Sequence, residues 1–156
     1  ATRSIGGVYT GTVSDLTNVG TATNNVWGVN AYDTYSIQWL GYFLAPSTGT
    51  YTWSTNSDDA SYLWIGPNAV TGFTTANATV NNGGIHPMRT VTGTASLIAG
   101  VYYPIRIQFG ENTGGNDIQV YFNLPASATA IYNGVGYYFN TVATVASTVL
   151  VKITFD

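Results

Sequence analysis

The chain has 156 residues, of which 45% are hydrophobic and only 7% are charged, and its formal net charge is −3. This length suits one domain with one core. Four scattered cations cannot neutralise a row of phosphates, which excludes nucleic acid and anionic membrane surfaces as partners. The sequence contains no apolar run near the roughly 18 residues of a membrane-spanning helix. It contains no cysteine, which excludes disulfides and zinc–thiolate sites.

Short runs of β-branched and aromatic residues alternate with turn residues along the chain, and strong helix signals are absent. This pattern predicts an all-β fold, a sandwich or a barrel, in a single domain over residues 1–156. The predicted strands are Gly7–Val13, Tyr35–Leu44, Gly49–Ser54, Ala60–Ile65, Gly93–Ala99, Gly100–Gly110, Asp117–Phe122, Val135–Val142 and Thr148–Phe155.

Alternation within a run predicts which side chains face the core. In the run at residues 103–109, Ile105, Ile107 and Phe109 share one face and are predicted to point inward. Pro104 lacks a backbone N–H, so we expect it at the start of a strand or on an edge. The Asn- and Gly-rich segment Asn77–Gly84 is predicted to be a mobile loop.

The pair Asp58-Asp59 lies between two β-type runs in a chain with only seven acidic residues. Neighbouring side chains of a strand point to opposite faces, so these carboxylates converge only if the backbone bends sharply. A bound calcium ion would stabilise such a bend, because calcium takes several oxygen ligands and tolerates irregular geometry. The lack of cysteine and the single His86 disfavour zinc, copper and iron. The alternative is a solvated turn.

A second acidic loop at residues 110–117 reads G-E-N-T-G-G-N-D and offers carboxylates, amide oxygens and a flexible backbone. Asp58, Asp59 and one acid of this loop would set a charge of about −3 against the +2 of a calcium ion. The alternative for this loop is a plain hairpin connection.

Two stretches carry a resemblance to a known family. The first is GYFLAPSTGTYTWSTNSDDASYLWIGPNAVTGF, and the second is LIAGVYYPIRIQFGENTGGNDIQVYF. In order and spacing they resemble the PA14 superfamily, especially the GLEYA-like branch of adhesin and lectin domains. The resemblance covers residues 41–122, and it implies an antiparallel PA14-like β-sandwich that binds carbohydrate.

The resemblance also implies a calcium site. In the sugar-binding members, two aspartates joined by a cis peptide hold the ion, and they correspond to Asp58 and Asp59. The side-chain ligand of the second loop, typically Asn, falls on Glu111 or Asn112. Backbone carbonyls of the same loop fall near Thr113 and Gly115, which completes the implied metal set. The chain departs from fungal adhesins because it has no disulfides and has Glu111 near a typical Asn position.

In this family the vicinal hydroxyls of a sugar complete the calcium shell, which implicates Asp58, Asp59 and Asn112 in ligand binding. Aromatic rings often stack on the apolar face of a sugar, and Trp27, Tyr32 and Tyr35 precede the first motif strand. Core packing is the alternative for each of the three rings.

These observations predict a calcium-dependent lectin or adhesin module that is extracellular, on a cell or virion surface. Its predicted partner is a cell-surface glycan or polysaccharide, and the module is expected within a larger adhesin or a homo-oligomeric assembly. The alternative is a structural subunit of a virion, fibre or filament with a stabilising calcium, whose tail Thr148–Phe155 pairs with a neighbour. An enzyme is not expected, because Asp58 and Asp59 are adjacent instead of facing each other across a cleft.

Overall fold

The computed structural model describes residues 34–142. Within this part of the chain there are nine strands and two short 3-10 helices, Pro67–Ala69 and Thr75–Asn77. Neither helix is long and apolar enough to cross a membrane. The strands are β1 (Tyr35–Leu44), β2 (Gly49–Asp58), β3 (Ala60–Ile65), β4 (Val80–Asn82), β5 (Arg89–Leu97), β6 (Tyr102–Glu111), β7 (Asp117–Asn123), β8 (Ala130–Ile131) and β9 (Tyr138–Phe139).

The strands form two antiparallel sheets that pack face to face. One sheet has the order β4-β3-β6-β1-β9 and the other has the order β5-β2-β7-β8. Strand β6 is central, because it pairs over its length with β1 and over residues 105–110 with β3. The predicted all-β sandwich is therefore confirmed.

The core between the sheets is built from the inward-facing residues of both sheets, which alternate along each strand with residues that face outward. Ile105, Ile107 and Phe109 are all buried, as their alternation predicts. The ring of Phe43 meets the rings of Trp53 and Phe122 edge-on, with centroids 4.7 and 4.9 Å away. Such aromatic contacts join β1 of one sheet to β2 and β7 of the other, and their burial is a main source of stability.

Pro104 is neither the first residue of its strand nor on an edge strand of the sheet, but it lies close to the strand's start, where only β1 pairs with it. It is the third residue of the central strand β6 and pairs with Tyr42 of β1. Its carbonyl accepts a hydrogen bond from the backbone N–H of Gly66, which follows the last residue of β3. In a strand the N–H and the carbonyl of one residue face the same neighbour, so an N–H on residue 104 would also face Gly66. The carbonyl of Gly66 already accepts a hydrogen bond from the backbone N–H of Ala69. The proline therefore costs the sheet no ladder bond.

Other predictions also need correction. The segment Asn77–Gly84 is not simply a loop, because it contains β4, whose Asn82 is fully buried. The predicted strand Val135–Val142 is reduced to the two residues of β9, and β2 extends four residues beyond Ser54 to Asp58. The predicted strands Gly7–Val13 and Thr148–Phe155 lie outside the described residues.

Gly93 allows the two sheets to meet at one corner. A Cβ atom on Gly93 of β5 would lie 1.7 Å from the carbonyl oxygen of Thr79, just before β4. We expect Gly93→Ala to lower the free energy of unfolding by about 1–3 kcal/mol through overpacking, as measured by chemical denaturation. The control is Gly110→Ala, where a Cβ atom meets nothing within 4 Å. Equal stability of the two variants would contradict this account of the corner.

Candidate metal and carbohydrate site

The pair Asp58-Asp59 lies where the chain passes from one sheet to the other. Strand β2 of the four-stranded sheet ends at Asp58, and β3 of the five-stranded sheet begins at Ala60. The peptide bond between Asp58 and Asp59 is cis. The sharp bend that the sequence required, and the cis bond that the resemblance implied, are both present.

Strand register brings a third carboxylate to this point. The last pair between β3 and β6 is Ala60 with Gly110, so the next residues along the two strands, Asp59 and Glu111, also come together. Asp58, Asp59 and Glu111 each offer a carboxylate oxygen, and these atoms lie within 4.8 Å of one another. Asp59 and Glu111 are buried, with 3% and 5% of their surface exposed.

The orientation of the Asp59 carboxylate is fixed by two backbone N–H groups. The N–H of His86 donates to Oδ1 and the N–H of Asn112 donates to Oδ2, each at 2.9 Å. Of the two alternatives in the second loop, Glu111 therefore brings its carboxylate to the pair, while Asn112 contacts Asp59 through its main chain. The Asn112 carbonyl accepts from the N–H of Thr34 at 2.8 Å.

The surroundings of Asp58 disfavour its charged form. Burial raises the pKa of Asp58, the negative charges of Asp59 and Asp117 raise it further, and His86 acts in the opposite direction. Like charges in a partly desolvated place repel each other strongly. A divalent cation between these oxygens would neutralise the repulsion.

The glycine-rich loop lies directly against the cluster. A Cβ atom on Gly115 would lie 3.0 Å from Oδ2 of Asp58, so the bare backbone of this residue adjoins the carboxylate. Gly114 beside it has a φ of 104°, in the left-handed region that favours glycine. Three carboxylates and a close glycine backbone make an all-oxygen donor set, which fits calcium and does not fit a soft metal.

The loop at residues 83–88 forms one wall of the site, which the sequence did not indicate. His86 lies in this loop, and its backbone N–H donates directly to the Asp59 carboxylate. Its neighbours Ile85 and Met88 are exposed, Ile85 at 74% of its surface. Nothing in the sequence pairs this loop with Asp59, because the contact is made through a main-chain atom.

The predicted aromatic platform is not found in the described residues. Trp27 and Tyr32 lie outside them. Tyr35 is only 4% exposed, and its ring packs edge-on against Phe109 with centroids 6.0 Å apart. Tyr35 is therefore a core residue and cannot stack on a sugar.

Solved structures share this fold. The A domain of Epithelial Adhesin 6 from Candida glabrata, in complex with Galβ1-3GlcNAc, superposes with a TM-score of 0.59 at 19% identity, over 72% of this chain and 54% of that one. The PA14 sugar-binding domain from an RTX adhesin gives a TM-score of 0.55 at 14% identity, over 68% of this chain and 54% of that one. The expected PA14-like β-sandwich is confirmed.

Sequence relatives point to the same family. Flocculation proteins FLO9 and FLO10 of Saccharomyces cerevisiae are 27% identical over 145 residues and 29% identical over 119 residues. These alignments take in 78% and 67% of this chain, which spans about a tenth of the length of either flocculation protein. The profile of the GLEYA domain matches residues 35–124, more than half of the sequence. The chain belongs to the GLEYA domain family.

Proposed function

We propose that this domain is a calcium-dependent carbohydrate-binding module of a cell-surface adhesin. The observation that carries the proposal is the convergence of Asp58, Asp59 and Glu111, two of them buried, at a point where no more than 4.8 Å separates their oxygens. Family membership and the sugar complex of the Epithelial Adhesin 6 domain support carbohydrate as the ligand class.

In this proposal the three carboxylates hold the ion from the protein side. Asn112, Thr113 and Gly115 of the second loop add further oxygens from side chain or main chain, as the family resemblance implies. Bound calcium supplies a positive centre that vicinal sugar hydroxyls can approach. The loop at residues 83–88 contacts Asp59 through the backbone N–H of His86, and its Ile85 and Met88 side chains are exposed. This loop and the second loop would therefore contact the rest of the sugar and set specificity.

The first test is calcium dependence of stability. Calcium at 100 times its Kd should raise the free energy of unfolding by about 2.7 kcal/mol, and EDTA should reverse the gain. Asp58→Asn should abolish the calcium effect, because it removes one of three charged ligands. In EDTA the variant should be at least as stable as the wild type, since it removes the burial and repulsion of charge that raise the pKa of Asp58. Thermal melts with and without calcium measure both effects.

The matched control for this test is Asp117→Asn. Asp117 lies on β7 opposite Asp58, and it does not belong to the three-carboxylate cluster. The substitution removes the same charge as Asp58→Asn. This control should keep most of the calcium effect. Stabilisation by calcium that persists in Asp58→Asn would argue against the proposed ligand set.

The second test addresses the space beside Asp58. In Gly115→Ala the added Cβ must displace Oδ2 of Asp58 by a few tenths of an ångström, so we expect calcium affinity to fall roughly tenfold, as for a disturbed ligand orientation. Isothermal titration calorimetry measures the affinity. Gly110→Ala again serves as the control, because its Cβ meets open space. Equal affinity of the two variants would remove Gly115 from the site.

The third test is glycan binding itself. An array that includes Galβ1-3GlcNAc is probed with calcium, with EDTA and with Asp58→Asn. We expect binding with calcium only, because the sugar hydroxyls need the ion. Binding that survives both EDTA and the substitution would refute the mechanism. Calcium stabilisation without any glycan bound would favour the structural alternative, in which calcium only stabilises a filament or fibre subunit.

A further inference from the structure

The two ends of the loop at residues 83–88 are tied together by a reciprocal pair of side chains. Nε of Arg89, at the start of β5, donates to Oδ1 of Asn82, at the end of β4, at 2.8 Å. Nδ2 of Asn82 donates back to the carbonyl oxygen of Arg89, also at 2.8 Å. The Arg89 guanidinium donates in addition to the Gly83 carbonyl at 2.9 Å. We call this arrangement the Asn82–Arg89 clasp.

The clasp is connected to Asp59 from two sides. On the buried side, Nδ2 of Asn82 donates to Oγ of Ser57 at 3.1 Å, and this hydroxyl donates to the Asp59 carbonyl at 2.7 Å. On the loop side, the Asn82 carbonyl lies 3.2 Å from Nε2 of His86, whose backbone N–H binds Oδ1 of Asp59. Asn82 and Ser57 are fully buried, where hydrogen bonds are electrostatically strong.

We propose that Arg89 is a positioning residue for the calcium site and for the loop wall beside it. Arg89 does not touch the carboxylates in any contact the structure shows, but the clasp holds Asn82, and Asn82 holds both Ser57 and His86 in place on Asp59. The inference rests on the proposed calcium site, and it adds to that site the exposed residue Arg89, which lies outside the group of carboxylates. Groups that orient metal ligands in this way commonly change affinity by roughly 10–100-fold when removed.

The direction in which calcium affinity changes when Arg89 is substituted distinguishes a positioning role from a purely electrostatic one. Arg89 is exposed, and a substitution at an exposed position usually changes stability little. Removing a cation near an acidic cluster should strengthen the attraction of the site for calcium on Coulomb grounds alone. A positioning role predicts the opposite, because the loop and the Asp59 carboxylate lose their fixed orientation.

The experiment compares Arg89→Met with Arg106→Met by calorimetric calcium titration. Arg106 has the same charge, but it lies on the outer face of β6, where Nε binds the Ala69 carbonyl and the guanidinium covers the Phe73 ring. We expect calcium affinity to fall roughly tenfold in Arg89→Met and to stay level or rise slightly in Arg106→Met. Arg89→Lys should not restore the affinity, because an ammonium group lacks the planar fork that binds Asn82 and Gly83 together. Unchanged or tighter calcium binding by Arg89→Met would overturn the proposal.

A second measurement tests the clasp without calcium. In EDTA, hydrogen exchange of the His86 amide should be faster in Arg89→Met than in the wild type, while the amides that pair β2 with β7 keep their protection. Unchanged exchange at His86 would overturn the clasp. If the wild type binds no calcium, the proposed function fails and the positioning role for calcium fails with it, whereas this exchange result still decides whether Arg89 fixes the contact to Asp59.

Discussion

The site depends on the way the chain changes sheets. Strand β2 belongs to one sheet and β3 to the other, and only Asp59 lies between them. The pairing of Ala60 with Gly110 then fixes Glu111 opposite Asp59, since β6 is held on both sides by its neighbours. The acidic cluster is thus a consequence of sheet register, and the core aromatic contacts between the sheets keep that register in place.

The chain has few charged residues, yet it places three carboxylates close together, where they repel one another. Seven acidic residues are spread over 156 positions, yet three of them meet at one corner of the sandwich. Burial and the neighbouring carboxylates of Asp59 and Asp117 raise the pKa of Asp58, so the fold holds this carboxylate where its charged form is disfavoured. In the proposed function, a cation bound here would offset that repulsion and link ion binding to stability, in a chain that has no cysteine to form disulfides.

The surroundings of the cluster divide into a fixed part and a variable part. Buried hydroxyl and amide groups of Thr55, Ser57, Ser61 and Asn82 hydrogen-bond one another beneath Asp59 and hold its main chain. The loop at 83–88 and the glycine-rich loop lie on the solvent side, where side chains such as Ile85 are free to contact a ligand. In the proposed function, such a division would allow the loops that face solvent to change while the Asp59 carboxylate keeps its orientation.

The sequence by itself determined the fold class, the strands that carry a clear period of two, and the centre of the acidic cluster. Alternation in β6 gave the buried face, and Asp58-Asp59 stood out because acidic pairs are rare in so uncharged a chain. Sequence patterns did not indicate β4, the position of Pro104, the burial of Tyr35 or the hydrogen bonds between Arg89 and Asn82. Strand β4 has only three residues and no apolar alternation, and Pro104 is tolerated only because β3 ends beside it. The contacts of His86, Asn112 and Arg89 use main-chain atoms or partners on other strands, so only the tertiary structure decided them, through the register that brings distant segments together.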